Sequence, residues 1–387
     1  MSCVIFGAGK IARGFIGHLL YLSGIPFVFV EKNDGLADLI NKRGEYTVNI
    51  LGAPEKNTLV KNAKVLKFQD KNEIAEAIAD AEVIFTAVGG KNLSEIAPFI
   101  ADGIEKKSKN KILNIVTCEN WKQPAKLLRE EIIRLLNLNV DFMKNIGAAE
   151  AVIMRSAIEP DEEILKKDPL AVNVQDFWEL PVDASNIIGE LPNIMGLNLI
   201  QEFTGFLERK FYTYNAANGT VSFIGALLGY EHIADAAHDE NILEILAGVY
   251  DETSRALSAK HKFPLDEQIE FAKTSLKKLQ DYTIVDFIER NARDPVRKLG
   301  PDDRLVGSAA LVMEYGIIPN NLAVSIAAAI YYTNPSDPFA CELERMRTSE
   351  GIDAVLADIC KIDPLCNLGV LVKEKIGELK KRGWIHE

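Results

Sequence analysis

The hydrophobic positions in the first half of the chain follow two alternating patterns. Short continuous apolar runs, typical of strands buried on both faces, are separated by segments in which apolar residues recur at helical spacing. The apolar runs lie at 4–6, 27–30, 82–88 and 112–116, the helical segments at 15–20, 34–43, 73–79, 93–106 and 121–136, and further strands are predicted at 46–50, 58–66 and 170–174. This alternation predicts a parallel, doubly wound α/β sheet.

The pattern changes in the second half, where helical spacing prevails. Gly189–Asn193 is predicted to be a loop, and we place a domain boundary there, between an α/β domain over 1–190 and a mainly helical domain over 191–387. An apolar stripe predicts the first helix of the second domain. The stripe is Leu199, Phe203, Phe206, Leu207, Phe211 and Tyr214, and further helices are predicted at 221–228, 239–260, 266–278, 303–315, 321–332, 337–348, 351–359 and 367–382.

A glycine-rich turn stands between the first apolar run and the first helix. Gly7 permits a tight turn, Gly9 lets a pyrophosphate approach the backbone, and the small Ala12 lets the helix pack close to the strand. Free N–H groups at the start of that helix would face the phosphate charge. With the second strand and the acid that ends it, this turn predicts a Rossmann-like dinucleotide site.

The acid is Glu31, roughly 20 residues after Gly9. A carboxylate there accepts hydrogen bonds from a ribose diol and repels a 2′-phosphate, so NAD is favoured over NADP. The alternative is a glycine turn that binds no nucleotide. Lys10 and Arg13 either help to hold the pyrophosphate or are solvated. The predicted cofactor-binding residues are Gly7, Ala8, Gly9, Lys10, Ile11, Ala12, Glu31, Val88 and Gly89.

Composition mainly excludes other classes of function. The 387 residues suffice for two domains with cores of their own, and 56 acidic against 44 basic residues give a net charge of −12. That balance disfavours a nucleic-acid or anionic-membrane surface. Five cysteines without a C-x-x-C pair, a start that runs directly into a strand and the lack of a long apolar segment lead us to expect a cytoplasmic protein without disulfides, signal peptide or membrane span.

A nicotinamide enzyme that oxidises an alcohol needs a base for the hydroxyl proton and donors for the developing oxyanion. The five histidines show no ligand spacing with one another or with the cysteines, so we expect no metal site. On a continuous helix Lys210, Asn215 and Asn218 would fan across about 140°. A desolvated lysine can act as a base, because its pKa is lowered. Alternatively, Lys210 extends to solvent and the asparagines end a helix near Gly219.

Several segments resemble the polyol-specific long-chain dehydrogenases. They are Gly7 to Gly17 (G-A-G-K-I-A-R-G-F-I-G), the C-E-N of 118–120, Asp168–Leu170, the run from Gly189 to Asn218, Arg293–Leu299 and Asp303–Leu305. They occur in order over nearly the whole chain. The resemblance implies a Rossmann domain, a helical C-terminal domain, no metal, a lysine base and a protein for which a monomer can suffice.

The motifs of that family also imply roles for single residues. The motif K-x4-N-x2-H places the catalytic base at Lys210 and an oxyanion-binding asparagine at Asn215, and the C-[DE]-N strand end adds Asn120. Asn218 stands where the motif has histidine, and Met154 stands where a V-D-R-I segment has aspartate. A carboxamide can bind a substrate hydroxyl but cannot titrate as imidazole does. Asn218 completes the predicted catalytic set.

A basic cluster occurs late in this otherwise acidic chain. It consists of Arg293, Arg297, Lys298 and Arg304. Guanidinium groups suit bidentate phosphate binding, so these residues are candidates for holding the end group of a sugar phosphate. The alternative is a solvated helix face with Asp294, Asp302 and Asp303 as ion partners.

We therefore expect NAD-dependent, reversible oxidation of a polyol phosphate to a ketose phosphate, with mannitol 1-phosphate and fructose 6-phosphate as the first pair to test. Lys210 would take the hydroxyl proton, while Asn120 and Asn215 stabilise the oxygen. Two alternatives stay open. One is a dehydrogenase of an unphosphorylated polyol or a sugar acid, and the other is a catalytically inactive sensor that binds NADH or a sugar phosphate.

Overall fold

The computed structural model describes residues 2–136 and 142–385. The chain divides into two compact units, Met1–Phe203 and Thr204–Glu387. Residues beyond the loop at Gly189–Asn193 stay with the first unit, because the strand Leu197–Ile200 pairs in parallel with Leu180–Asp183. The division therefore falls later in the chain than the boundary we placed after residue 190.

The described part of the first unit contains twelve strands in three sheets. They are β1 (Cys3–Phe6), β2 (Phe27–Glu31), β3 (Glu45–Ile50), β4 (Thr58–Lys61), β5 (Val65–Lys67), β6 (Val83–Thr86), β7 (Leu113–Thr117), β8 (Ile146–Glu150), β9 (Ala157–Ile158), β10 (Val172–Val174), β11 (Leu180–Asp183) and β12 (Leu197–Ile200). The main sheet is parallel, in the order β5-β2-β1-β6-β7-β8, and β4-β3-β10-β9 and β11-β12 form smaller sheets. The strand order reverses between β1 and β6, the place where ligands bind in open α/β sheets.

Strand β1 shows why the apolar runs are continuous. Cys3 and Ile5 pack into one hydrophobic cluster, whereas Val4 and Phe6 pack into another on the opposite face of the sheet. Because side chains alternate between the two faces and both faces are covered, every position of the strand is apolar.

Helices cover both faces of the main sheet. They are α1 (His18–Leu22), α2 (Asp34–Arg43), α3 (Lys71–Asp80), α4 (Leu93–Lys106) and α5 (Pro124–Leu136). The unit also contains the short helix α6 (Glu162–Lys167), which has no buried residue, and 3₁₀ segments at Pro54–Lys56, Gly90–Asn92, Phe142–Asn145 and Ala184–Asn186. The helix after the glycine turn has π-type hydrogen bonding over Ala12–Gly17 and continues as α1. Local chemistry sets the bounds of α2, since the Asn33 side chain caps its first turn and Gly44 ends it in the left-handed conformation (φ 66°).

From Phe203 onward the described chain is helical. The helices are α7 (Phe203–Lys210), α8 (Ala216–Leu227), α9 (Ile233–Ala236), α10 (Glu240–His261), α11 (Leu265–Leu279), α12 (Ile288–Ala292), α13 (Pro295–Lys298), α14 (Val306–Glu314), α15 (Asn320–Ile330), α16 (Pro338–Ser349), α17 (Ile352–Ala354) and α18 (Asn367–Lys381), with π-helical segments at Phe211–Asn215 and Val355–Ile359. They enclose one hydrophobic cluster to which α8, α10 and α15 contribute long buried stretches.

The predicted fold class is confirmed: a Rossmann-like parallel sheet precedes a helical C-terminal part. Two details of the prediction are wrong. Residues 58–66 form two strands in different sheets, because the chain turns at Asn62 in the left-handed conformation (φ 58°). Leu199 lies on β12, so the helix that we began at this residue starts at Phe203 instead.

None of the helices within residues 2–136 and 142–385 is both long enough and apolar enough to cross a membrane. All five cysteines carry free thiols, and Cys3, Cys118 and Cys360 are buried.

Candidate active site

The glycine turn lies against the end of β6. Gly7 has a left-handed backbone (φ +92°), and a Cβ built on it would stand 2.5 Å from the carbonyl oxygen of Ala87. Only glycine fits there, on both conformational and steric grounds. At Gly9, by contrast, a Cβ would meet no heavy atom within 4 Å. The backbone at Gly9 is therefore open to the approach of a ligand.

The helix that follows offers backbone donors at its first turn. The N–H of Arg13 donates to the carbonyl of Gly9 (3.0 Å), so the N–H groups of residues 10–12 precede the first helical hydrogen bond. Such groups lie at the positive end of the helix dipole and suit a phosphate.

The two basic side chains beside the turn have different environments. Lys10 is exposed and forms an ion pair with Glu159 (3.1 Å). Arg13 is buried, its guanidinium donates to the carbonyl of Ala8, and burial lowers its pKa. Arg13 is therefore not solvated, contrary to one of the two alternatives, and contacts the glycine turn from within the fold.

The carboxylate of Glu31 is held by backbone donors at the end of β2. Its two oxygens accept from the N–H of Ala8 (2.7 Å) and the N–H of Asn33 (2.8 Å). Because a carboxylate can accept about four hydrogen bonds, capacity for ribose hydroxyls remains. A cleft of ≈ 290 Å³ adjoins it, lined by Gly7, Gly9, Val30, Glu31, Lys32, Phe68, Ala87, Val88, Asn92, Glu95 and Ile96.

Sequence reasoning missed Glu119, which organises the loop after β6. The buried carboxylate accepts from the Thr86 hydroxyl (2.9 Å) and from the backbone N–H groups of Val88 (2.9 Å) and Gly89 (2.8 Å). These two N–H groups are thus engaged within the protein, while Val88 is one of the residues that line the cleft. The acid in the C-E-N segment was the available signal.

Asn120 follows Glu119 directly and is exposed at the carboxyl end of β7. The next residue, Trp121, packs on Gly90, where any Cβ would collide with the indole.

The predicted site residues are divided between the two units. The predicted cofactor-binding residues and Asn120 belong to the first unit, whereas the other predicted catalytic residues and the basic cluster belong to the second.

A π-helical segment brings Lys210 and Asn215 onto one face of their helix. The N–H of Ala216 donates to the carbonyl of Phe211, five residues back. Lys210 and Asn215 are thus one π turn apart, whereas five residues of α-helix would rotate them by about 140°. Asn218 follows after three more residues, roughly 60° from Asn215. The fan is narrower than the one predicted for a continuous α-helix.

A buried glutamine on α11, which the sequence analysis did not identify, connects a residue just before this segment to one inside it. The Nε2 of Gln268 donates to the Thr213 hydroxyl (3.0 Å), and its Oε1 accepts from the Nε of Arg209 (2.6 Å). A side chain from a separate helix thus stabilises the local change from α to π hydrogen bonding.

Lys210 is half-buried, and its pKa is lowered from 10.5 to about 8. Burial, which disfavours the ammonium form, is the larger cause, and the like charge of Arg304 is the smaller one. With this pKa, roughly a tenth of the lysine is neutral at pH 7. The amine can therefore exchange a proton near neutral pH.

The basic cluster does not act as one surface. Arg297 pairs with Asp294 (3.0 Å) and Asp303 (3.1 Å). Arg304, whose side chain is 13% exposed, pairs with the same Asp303 (2.9 Å) and lies over the Phe211 ring. Two of the aspartates proposed as ion partners therefore serve this role.

Lys298 is buried, contrary to a solvated helix face. Its Nζ donates to the backbone carbonyls of Asn291 (2.5 Å) and Arg293, while the Arg293 side chain is exposed. Burial, followed by the like charge of Arg304, lowers the pKa of Lys298 to about 8.

The histidines contribute no cluster of ligands. Within the described parts of the chain, no three His, Cys, Asp or Glu side chains converge as metal ligands would. His18 is buried between Arg155 (3.1 Å) and Thr58 (2.9 Å), and His386 lies outside the described residues. Met154, at the departure from the V-D-R-I segment, is buried.

Comparison of sequences identifies relatives along the whole chain. Residues 1–196 match the mannitol dehydrogenase Rossmann domain, and residues 202–361 match the mannitol dehydrogenase C-terminal domain. Mannitol-1-phosphate 5-dehydrogenase of Thermoanaerobacter pseudethanolicus is 34% identical, with 98% of each chain covered. The protein of the same name from Bacillus pumilus is also 34% identical, with 95% of this chain and 97% of the relative covered.

Solved structures share the fold at low sequence identity. Substrate-free D-sorbitol dehydrogenase aligns with a TM-score of 0.81 and 14% identity, covering 99% of this chain and 94% of its own. Pseudomonas fluorescens mannitol 2-dehydrogenase, in a ternary complex with NAD and D-mannitol, aligns with a TM-score of 0.66 and 12% identity, covering 99% and 92%. The matched domains and the sequence relatives place the chain in the mannitol dehydrogenase family, a family of oxidoreductases that act on CH–OH groups.

Proposed function

We propose that the protein catalyses NAD-dependent, reversible hydride transfer between a polyol phosphate and a ketose phosphate, with mannitol 1-phosphate and fructose 6-phosphate as the pair. The observation that carries this proposal is the full-length likeness to relatives named mannitol-1-phosphate 5-dehydrogenase. Those names indicate the substrate class, and the residues described above are suited to the reaction.

The first unit offers groups that fit NAD. The backbone donors of residues 10–12 and the open side of Gly9 would hold the pyrophosphate, while Glu31 would accept from the ribose diol. The same carboxylate would repel the 2′-phosphate of NADP. When bound, the nicotinamide accepts or donates the hydride. Val88 would contribute through its side chain, since its N–H is engaged by Glu119.

The second unit offers the acid–base group. Neutral Lys210 would take the hydroxyl proton during oxidation, and its ammonium form would return the proton during reduction. Burial and Arg304 keep both forms accessible near neutral pH. Asn215, on the same helix face, would donate a carboxamide N–H to the substrate oxygen, the role for which Asn120 of the first unit is the other candidate. Lys210 and Asn215 would thus supply the proton transfer and stabilise the oxyanion.

The phosphate group would be bound by guanidinium groups of the basic cluster. Arg293, Arg297 and Arg304 are the candidates, because the amine of Lys298 is taken up by two backbone carbonyls. Arg304 combines low exposure with an electrostatic effect on Lys210. A phosphate near Arg304 would therefore lie close to the proposed base.

The decisive experiment is NADH consumption by the purified protein with fructose 6-phosphate, beside free fructose and a uronate. Turnover with the phosphate alone would support the proposal. NADH binding, measured separately by fluorescence, distinguishes the remaining outcomes. Binding without turnover on any substrate would leave a sensor that has lost catalysis, and would refute the proposed reaction.

One observation favours a second candidate, a dehydrogenase of an unphosphorylated polyol or a sugar acid. Arg297 is already paired with two aspartates, so a phosphate would have to compete with them. If Arg297 binds phosphate, Arg297→Ala should raise the KM for fructose 6-phosphate about tenfold or more and barely change the KM of a neutral substrate. Arg255→Ala, which removes an exposed ion pair with Asp251, is the matched control. An unchanged KM for the phosphate ester would exclude Arg297 from phosphate binding.

A further inference from the structure

Asn218 is held by a chain of polar groups within the second unit. Its Nδ2 donates to the Oδ1 of Asn291 (3.2 Å). Asn291 in turn donates through Nδ2 to the Oδ1 of Asp286 (2.6 Å) and to the carbonyl of Phe287 (2.9 Å). The backbone carbonyl of Asn291 accepts from Lys298 (2.5 Å). Asn291 is thus fixed through both its side chain and its backbone.

The chemistry of these partners sets the direction of each hydrogen bond. An ionised carboxylate and a backbone carbonyl can only accept, so both N–H groups of Asn291 are committed to Asp286 and Phe287. Asn291 can then offer only its oxygen to Asn218, which must answer with its N–H. The amide orientation of Asn218 follows from this network, and its Oδ1 is the end that the network leaves as an acceptor.

Asn218 lies near the other proposed catalytic residues of its helix. The residue lies roughly 60° around the helix from Asn215, which shares a face with Lys210 through the π-helical segment. An acceptor on this side of the helix matches the hydroxyl groups that flank the reacting carbon of a ketose or polyol. A polyol carries a hydroxyl donor on each carbon next to the reacting one. A hydrogen-bond acceptor in the site can therefore favour such a substrate over an analogue that lacks one of these hydroxyls.

We propose that Asp286 and Asn291 are positioning residues that hold Asn218 with its carbonyl oxygen toward the substrate, where it accepts a hydrogen bond from a hydroxyl next to the reacting carbon. This inference rests on the proposed function. A neutral imidazole that donated one N–H to Asn291 would likewise present its other nitrogen as an acceptor. Asn218 thus provides the hydrogen-bond polarity of the histidine in the motif K-x4-N-x2-H, without its titration.

The first test examines the direction of the hydrogen bond between Asn218 and Asn291 without any substrate. Asn218→Asp places an acceptor against the Oδ1 of Asn291, so the thermal midpoint should fall clearly. In an Asp286→Ala background one N–H of Asn291 loses its acceptor, so the amide can turn this N–H toward the new carboxylate while the other stays on the Phe287 carbonyl. The same Asn218→Asp change should then lower the thermal midpoint much less. This difference between the two backgrounds measures the coupling between the two sites. An equal fall of the thermal midpoint in both backgrounds would overturn the proposed direction of the hydrogen bond, whatever the protein catalyses.

The second test reads the role in specificity. The kcat/KM with NADH is measured for fructose 6-phosphate and for its 1-deoxy and 3-deoxy analogues. In the native protein one analogue should be poorer by about tenfold or more, because it leaves the Asn218 oxygen unpaired. The preference for fructose 6-phosphate over this analogue should be lost in Asn218→Ala and should weaken in Asp286→Ala. Asp286→Asn keeps a hydrogen-bond acceptor for Asn291, so the preference should be close to that of the native protein.

Control and contrary outcomes separate the two proposals. Arg290→Ala removes only an exposed cation beside Asp286 (3.3 Å) and should leave the preference intact. If Asp286→Ala lowers kcat/KM equally for all three substrates, the residue is merely structural and the specificity role is overturned. If the native protein turns over none of them, the proposed function fails, while the stability cycle still decides the network polarity.

Discussion

At the scale of single residues, the amine of Lys210 carries the proposed acid–base chemistry. With a pKa of about 8, its neutral form rises through this pH and its ammonium form falls. We expect kcat for polyol oxidation to increase with pH and level off above about 8, and kcat for ketose reduction to decrease over the same range. Lys210→Ala should lower both roughly 10²- to 10⁴-fold.

Steady-state rates at saturating substrate between pH 6 and 10 measure this dependence, with NADH affinity as the control for folding. Lys210→Arg, which keeps the positive charge but cannot deprotonate, should be as inactive as Lys210→Ala. Full turnover of either variant would remove Lys210 from the role of base.

The buried His18 predicts a response of stability to acid. The Arg155 guanidinium has only donors, so the His18 Nδ1 must accept from it and the proton resides on Nε2, toward Thr58. Burial, and then the charge of Arg155, lowers the pKa of His18 from 6.5 to about 3. Below pH 6.5 the His18 imidazole is protonated in the unfolded chain but stays neutral in the native state. The stability contributed by neutral His18 is therefore present above pH 6.5 and is lost as the pH falls towards 3.

Denaturant unfolding at pH 7, 5.5 and 4.5 tests this expectation. The native protein should lose up to about 1.4 kcal/mol per pH unit more than His18→Gln, which has no titrating ring. Carboxylates affect both proteins alike, so the difference isolates the imidazole. Parallel pH profiles would contradict the assignment.

At the scale of elements, two glycines of one turn should fail in different ways. Gly7→Ala introduces a Cβ against the Ala87 carbonyl in a left-handed backbone, and should lower both the thermal midpoint and NADH affinity. Gly9→Ala meets no protein atom, so the fold should be little affected. Its methyl group would instead obstruct the pyrophosphate and weaken NADH binding.

Thermal unfolding and NADH fluorescence titration of both variants separate these effects. A Gly9→Ala protein that bound NADH with native affinity would argue against the pyrophosphate lying at this turn. Native stability in Gly7→Ala would show that β1 and β6 can separate without cost.

At the scale of the whole molecule, the cores of the two units are separate. The two hydrophobic clusters of the first unit lie within residues 1–203, and the helical cluster lies within residues 204–387. We therefore expect a fragment of residues 1–203 to fold and bind NADH without catalysing turnover, since it lacks Lys210. Circular dichroism and NADH titration test this, with the Gly9→Ala fragment as the control. An unfolded fragment would contradict it.

The architecture and most of the candidate residues were predictable from the amino-acid sequence. Continuous apolar runs and helical spacing predicted the parallel sheet and the helices, because buried parallel strands and amphipathic helices impose these periods on the chain. The glycine turn was predictable because its geometry is local, as the backbone at Gly7 shows. The resemblance to the motifs of the polyol-specific long-chain dehydrogenases singled out Lys210, Asn215 and Asn120 as candidates.

The side chains that support these residues were found only in the folded structure. Gln268 reaches the π-helical segment from another helix, Glu119 engages the loop after β6 from the end of β7, and Asn291 orients Asn218 from 73 residues away. Arg13 and Lys298 look like solvated cations in the sequence but are buried on backbone carbonyls. Such partners are set by packing between distant segments, which leaves no periodicity or local spacing in the sequence.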